Sequence, residues 1–187
     1  MTHSHFVKSA RKNYPNEGIK KGEPYYWWAF RYGGKHRSKI RPERSQLTQS
    51  EFLSRIWSLE DNALQSIDCA EDCEGVLSEL EDIYTEEENK KDELNEGFKA
   101  GHIGELLEER YELSYEMWTD LDNLKSDLEG VEGDIETKNN ELQNLNSETE
   151  DDGELETIDN LSAELTDLEV DRNNALEEIK SLSYQGN

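Results

Sequence analysis

Residues 107–145 read LEERYELSYEMWTDLDNLKSDLEGVEGDIETKNNELQNL, and their spacing decides the fold class. Leu107, Tyr111, Ser114, Trp118 and Leu121 step by 4, 3, 4 and 3 residues. Leu124, Leu128, Val131, Ile135, Lys138, Leu142 and Leu145 repeat those steps. Residues three and four apart share one face of a helix, so the series reads as a long periodic helical segment with a largely apolar stripe. The join from Leu121 to Leu124 is three residues, a phase slip, and Gly130 and Gly133 follow it. A kink or a break would fall there.

Glu150-Asp151-Asp152-Gly153 interrupts the pattern, and Leu161, Leu165, Leu168, Arg172, Ala175, Ile179 and Leu182 then resume steps of 4 and 3. Two arrangements suit this: antiparallel helices joined by a short turn, or a coiled coil with a second chain. The glycine-containing turn favours return within the chain, and a homo-oligomer is the other arrangement.

Upstream, Gly97, Gly101 and Gly104 mark a loop around Phe98 to Ile103. A helix is predicted over about 72–95, with Val76, Leu77, Leu80, Ile83, Tyr84 and Leu94 inward and Glu86-Glu87-Glu88 on a solvated face. Another is predicted over about 49–67, with Phe52, Leu53, Ile56, Trp57, Leu64 and Ile67 at helical spacing and Trp57 in the core. Thr48-Gln49-Ser50-Glu51 reads as its capping box, with Thr48 as N-cap.

The first fifty residues differ in kind. They hold 11 Lys and Arg against three acids, a net +8, while the 187-residue chain carries −25. All three prolines, Pro15, Pro24 and Pro42, lie there, so nothing downstream breaks a helix through proline. Tyr25 to Tyr32 is an aromatic run of strong strand preference. Gly33-Gly34 then suits a tight hairpin turn at positive φ, and Lys35 to Ile40 is the return strand. Alternation places Tyr25, Trp27, Ala29 and Arg31 on one face, and Tyr26, Trp28, Phe30 and Tyr32 on the other. The wholly aromatic face is the expected core, and the face with Arg31 is the expected ligand face.

The chain is therefore expected to be mostly α: a small basic N-terminal β-hairpin module over 1–47, followed by long acidic antiparallel helices, a helical hairpin or coiled coil, over 48–187. The apolar fraction is 33%, against roughly 45–50% for an ordinary globular domain, so one large core is not expected. No apolar run reaches the roughly 18 residues of a membrane span, and no secretory h-region follows Met1, so no membrane partner and a cytoplasmic location are expected.

Clustered cations beside aromatics suit phosphate contacts and base stacking. The expected nucleic-acid or polyanion site is Lys20, Lys21, Tyr25, Trp27, Arg31, Lys35, Arg37, Lys39 and Arg41. Lys8, Arg11, Lys12 and Arg44 add to the field. The competing readings are a miniature aromatic core that the cations merely solvate, and a basic face docked on the chain's own acidic helices.

The string FVKSARKNYPNEGIKKGEPYYWWAFRYGGKHRSKIRPERSQLTQSEFL resembles the N-terminus of uncharacterised bacteriophage proteins, a family from which no function is carried over. The element order also resembles a zinc ribbon or treble clef, with knuckles near Pro15–Gly18 and Ser38–Pro42 that lack cysteines here. Tyr-Tyr-Trp-Trp followed by Gly-Gly-Lys is similar to the small three-stranded DNA-binding modules of phage integrases. The last likeness transfers no residue.

No catalytic constellation stands out, and neither a cofactor nor a metal is expected. Cys69 and Cys73 suit adjacent turns of one helix, where a disulfide is awkward and reduced thiols are expected. With His102 they make at most three of the four ligands a structural zinc site wants. Glu148 to Asp159 has a partial likeness to a calcium loop, with Gly153 at position 6 and an acid at 12. His3 and His5 fall in a terminal segment expected to fray. A non-enzymatic interaction protein is the shared expectation of three readings. One is a phage accessory protein whose basic hairpin touches nucleic acid while the acidic helices mediate assembly. The second is an acidic mimic of nucleic acid that blocks a nucleic-acid-handling host or defence protein. The third is a structural adapter.

Overall fold

The computed structural model describes residues 2–148 and 152–186. It is mostly helical: a small antiparallel sheet comes first and long helices follow. The chain divides into two compact units, Met1–Asn62 and Ala63–Asn187. The first helix therefore goes with the sheet, whereas the sequence division after residue 47 assigns it to the acidic body.

In the first unit, β1 (His5–Val7), β2 (Tyr25–Ala29) and β3 (Lys35–Ser38) form a sheet in the order β1-β2-β3. His5 and Arg37 both stand opposite Trp27, and Lys35 opposite Ala29. Thr2 is tied to the rest of the unit. Thr2 donates its backbone N–H to the Leu47 carbonyl at 3.1 Å and its hydroxyl to the Ala29 carbonyl at 2.9 Å. A three-residue strand is too short to show alternation, so β1 gave no signal of its own.

The hairpin turn differs from expectation. Phe30–Gly34 is a five-residue loop, and Gly33 donates to the Phe30 carbonyl at 3.2 Å. Positive φ falls at Gly18 and Gly22, not at Gly33 or Gly34. A loop this long closes without left-handed geometry, and a side chain at Gly33 would start 3.3 Å from the Phe30 Cβ. The left-handed Gly18 (φ 67°) instead closes the turn after Pro15–Glu17. Tyr14 and Ile19 bond each other's backbone across that turn at 2.7 and 3.1 Å.

Ala10, Ile19 and Tyr25 form a small core with Val7, Tyr14 and Trp27 beside it. The expected split of β2 into a core face and a ligand face is not what forms. Tyr25, placed on the ligand face, is 9% exposed, and Tyr32, placed in the core, is 85% exposed. Trp28 is also buried, so both faces of β2 are covered. The last residues of the aromatic run lie in the loop, where alternation no longer applies.

α1 runs Glu51–Ser58. Its N-cap is Ser50, whose hydroxyl accepts the Leu53 N–H at 3.3 Å, not Thr48. Thr48 instead accepts the Ser50 N–H at 3.1 Å, one step before the helix. The predicted helix over 49–67 continues only as a wider turn over Leu59–Ala63 and a tighter one over Leu64–Ser66. Phe52 and Ile56 are buried, and Trp57 is half-buried under the Arg44 guanidinium, 5.1 Å from its ring centre.

The second unit contains α2 (Cys73–Asp92), α3 (Glu96–Lys99), α4 (His102–Glu148) and α5 (Asp152–Ser181). Val76, Leu80 and Ile83 of α2, Leu107, Leu121 and Leu128 of α4, and Leu161, Leu176 and Ile179 of α5 are buried. Ion pairs fix the directions. Glu74 pairs with Lys125 at 3.5 Å and Glu87 with Arg110 at 3.3 Å, so α2 and α4 are antiparallel. Glu132 pairs with Arg172 at 3.1 Å and Lys138 with Glu164 at 2.9 Å, so α4 and α5 are antiparallel too. Return within the chain is therefore the arrangement formed.

α4 is not broken at Gly130 or Gly133. A helix tolerates a glycine at roughly 1 kcal/mol, which packing along α5 outweighs. The predicted stripe positions Val131, Ile135, Lys138, Leu142 and Leu145 are half-buried, as two packed helices shield only one side of a stripe. Glu87, expected on a solvated face, is 1% exposed and accepts from Lys90 at 2.7 Å and Arg110 at 3.3 Å. The loop expected around Phe98–Ile103 is shortened by α3 and by α4 beginning at His102. No helix among the described residues is long and apolar enough to cross a membrane.

Candidate polyanion-binding face

The sheet register brings three of the expected site residues together. Trp27 on the central strand, and Lys35 and Arg37 on β3, lie on one face. His5 of β1 stacks on Trp27 with centroids 4.6 Å apart and planes 24° apart. The Lys35 ammonium lies 4.0 Å from the same ring's centre. One partner comes from the strand on each side of β2, so Trp27 is a packed platform for Lys35 and not an open stacking surface for bases.

Arg37 is half-buried and already engaged. It lies 4.3 Å from the Tyr14 ring centre and pairs with Glu17 at 3.2 Å. Lys39, just past β3, pairs with Glu23 at 3.0 Å. The Lys20 backbone N–H and then Lys39 hold the Glu23 carboxyl below its ordinary range. Arg44 is engaged as well, with buried Glu60 and with Asp61 at 3.6 Å. Tyr25 is in the core, tilted against Tyr14 at 5.6 Å, and is not available to a ligand.

The other expected cations are open. Lys20, Lys21, Arg31, Lys35 and Arg41 are exposed and make no ion pair among the described residues. The same holds for Lys8, Arg11 and Lys12. Arg31 lies 5.3 Å from the ring centre of Tyr32, at the exposed hairpin tip.

Sequence reasoning missed His5, Tyr14, Phe6 and Tyr32. Phe6 is 55% exposed beside Tyr26, and Tyr32 is the most open aromatic of the tip. The adjacency of Arg31 and Tyr32 to Gly33-Gly34 was the available signal for Tyr32. His5 had none, because its role depends on a strand pairing twenty residues away.

The second unit contrasts with this. It has eight Lys and Arg against 39 acids. Each of the eight is paired: Lys90 with Glu86 and Glu87, Lys91 with Glu108, Lys99 with Asp92, Arg110 with Glu87, Lys125 with Glu129, Lys138 with Glu164, Arg172 with Glu132, and Lys180 with Asp68. Hydrogen bonds to Glu129 and Glu164 hold Lys125 and Lys138 above the usual lysine range. Glu105, Glu109, Glu112, Glu116 and Asp120 of α4 are exposed and outside every one of these pairs.

Cys73 is buried, and burial pushes its thiol up to about 11, while Cys69 is half-buried and also free. Among the described residues no group of three or more His, Cys, Asp or Glu is disposed to hold a metal. Thr149–Asp151, within the calcium-loop likeness of Glu148 to Asp159, lie outside the described residues.

Comparison with protein-family models, with curated proteins and with solved structures finds no match.

Proposed function

We propose that the chain is a non-enzymatic accessory interaction protein whose N-terminal unit holds the phosphate backbone of nucleic acid, with the acidic helices mediating assembly. The observation that carries this reading is the difference in how the two units use their cations. Every Lys and Arg of the acidic unit is ion-paired with a neighbour, whereas eight exposed cations of the basic unit have no counter-charge among the described residues. An excess of open cations in one small unit is the footprint of phosphate contact.

The contact is to the backbone and not to base edges. Trp27 is covered from both neighbouring strands and Tyr25 is buried, so stacking falls to Tyr32 at the tip. Binding of this kind tolerates sequence and weakens steeply with salt. The test is fluorescence anisotropy with labelled random-sequence duplex and single-stranded DNA and RNA, over a range of salt. Tight binding at low salt that declines linearly in log–log form supports the reading. Absence of binding to all four probes at low salt overturns it.

A second reading rests on a separate observation, an exposed ridge of α4 whose carboxylates have no ion pair among the described residues. Glu105, Glu109, Glu112, Glu116 and Asp120 step by 4, 3, 4 and 4 along one side, a carboxylate about every 6 Å. Such a row suits mimicry of a phosphate strand toward a nucleic-acid-handling protein. If mimicry is the function, Glu→Gln changes in this ridge abolish capture of a protein that survives nuclease treatment, and loss of the hairpin cations does not.

A further inference from the structure

The second unit carries an aromatic row that its core leaves partly open. Tyr111, Tyr115 and Trp118 step by four and three along α4 and so share one side of it. Their rings lie nearly parallel: Tyr111 and Tyr115 are 6.0 Å and 11° apart, Tyr115 and Trp118 6.1 Å and 12°. Tyr84 of α2 meets all three edge-on, at 6.0, 5.4 and 6.3 Å. Tyr115 is 45% exposed and the other three are half-buried.

Carboxylates rim this row. Glu81 and Glu88 lie three residues before and four after Tyr84 on α2, and Asp122 lies four after Trp118 on α4. None of the three is ion-paired among the described residues. Burial first, then the charge of Glu81, holds the Tyr84 phenol above its usual range.

We propose that this row and its rim are a docking surface for an arginine-rich peptide segment of a protein partner. Charge complementarity and shape together select this occupant. Ring faces are electron-rich and attract cations, and unpaired carboxylates beside them add to that attraction. Each cation of this unit is ion-paired with a carboxylate outside the rim. A phosphate-bearing occupant meets like charge here. An apolar one strands three carboxylates without water. A guanidinium satisfies both features, because it is planar, stacks on aromatic faces and forks onto carboxylates. This surface is independent of the basic face of the first unit.

The test is calorimetric titration of the full chain with nona-arginine and nona-lysine. Nona-arginine is expected to bind more tightly. Tyr84→Leu with Tyr115→Leu keeps the net charge, and is expected to weaken nona-arginine about tenfold and to remove its advantage over nona-lysine. Tyr115→Leu alone, at the most exposed ring, keeps the fold and weakens nona-arginine a few-fold. Asp167→Asn with Asp171→Asn, on α5, lowers both affinities alike and leaves the preference intact. Equal binding by wild type and the tyrosine variants means that only the general field attracts the peptide, and overturns the proposal. So does a dimer, seen by sedimentation without peptide, that Tyr115→Leu dissolves, because the row is then a contact between copies.

Discussion

The Glu87 carboxylate lies 3.3 Å from the Arg110 guanidinium across the α2–α4 contact, and with 1% exposure it is a fully buried charge of the acidic unit. Lys90, one turn on, donates to its other oxygen at 2.7 Å. Burial pulls the Lys90 ammonium down, but its bonds to Glu86 and Glu87 outweigh that and hold it above its usual range. A carboxylate out of water persists only when such partners satisfy it.

Glu87→Leu therefore removes an anion to which both Arg110 and Lys90 are paired. Arg110 and Lys90 keep partial access to water, so the loss is below the ~3–5 kcal/mol of a fully buried broken pair, and about 2 kcal/mol is expected. Glu88→Leu, one position along and exposed, is expected to stay within about 0.5 kcal/mol. Urea unfolding of both variants checks the contrast, and equal midpoints would contradict the buried-cluster account.

Two glycines of α4 are expected to respond to alanine with opposite signs. At Gly104 a Cβ overlaps the Lys99 backbone, with the Lys99 Cα only 2.8 Å away, so the α3–α4 junction must open. Gly104→Ala is expected to destabilise by about 2 kcal/mol, the strain exceeding the propensity gain. At Gly130 nothing lies within 4 Å, and Gly130→Ala is expected to stabilise by about 0.5–1 kcal/mol. Thermal midpoints moving in the same direction would refute the pair.

The long helices were legible because period is a local property. Leu161, Leu165, Leu168, Arg172, Ala175 and Ile179 along α5, and Leu182 just past its end, are all buried or half-buried, as their steps imply. Glu87 was not legible, because its burial depends on Arg110, which lies on another helix. Neighbouring acids of the same run, Glu86 and Glu88, are more exposed, so the run itself carries no sign of the difference. The candidate face was half legible. Lys35, Arg37 and Trp27 share a face by alternation, but whether a cation is open depends on Glu17 and Glu23, which come from a turn and a loop. Tyr25 looked available because alternation says which residues share a face, not which face is covered.

Alkali is expected to weaken the acidic unit through Cys73. Its thiol is raised by burial from 9.0 to about 11 in the fold. Between those values the unfolded chain has lost a proton that the folded chain keeps, so stability falls as pH rises through this window and levels beyond it. The slope approaches about 1.4 kcal/mol per pH unit at its steepest. In Cys73→Ala this component disappears, although the truncation lowers stability at neutral pH. Unfolding free energies of the two proteins at pH 8, 9, 10 and 11 check the difference. Parallel curves would mean that Cys73 does not titrate as its burial requires.

The two kinds of cation on the basic face are expected to separate in their salt dependence. Each lysine or arginine that neutralises a phosphate on duplex DNA contributes about −0.9 to the slope of log affinity against log salt. Arg31, Lys35 and Arg41 are exposed and have no ion pair among the described residues, so they release counterions from the DNA when they bind. Arg31→Gln, Lys35→Gln and Arg41→Gln together are expected to flatten the slope by roughly 3. Arg37 and Lys39 must first leave Glu17 and Glu23, which gives back much of what a phosphate contact gains. Arg37→Gln with Lys39→Gln is therefore expected to change the slope by less than about 1. Glu17→Gln with Glu23→Gln frees both cations and is expected to steepen it. Anisotropy titrations with one duplex across 50 to 200 mM salt, roughly the range over which such contacts lose most of their affinity, read all three variants. A slope that follows the number of cations removed, whichever they are, would mean that the internal ion pairs do not govern the face.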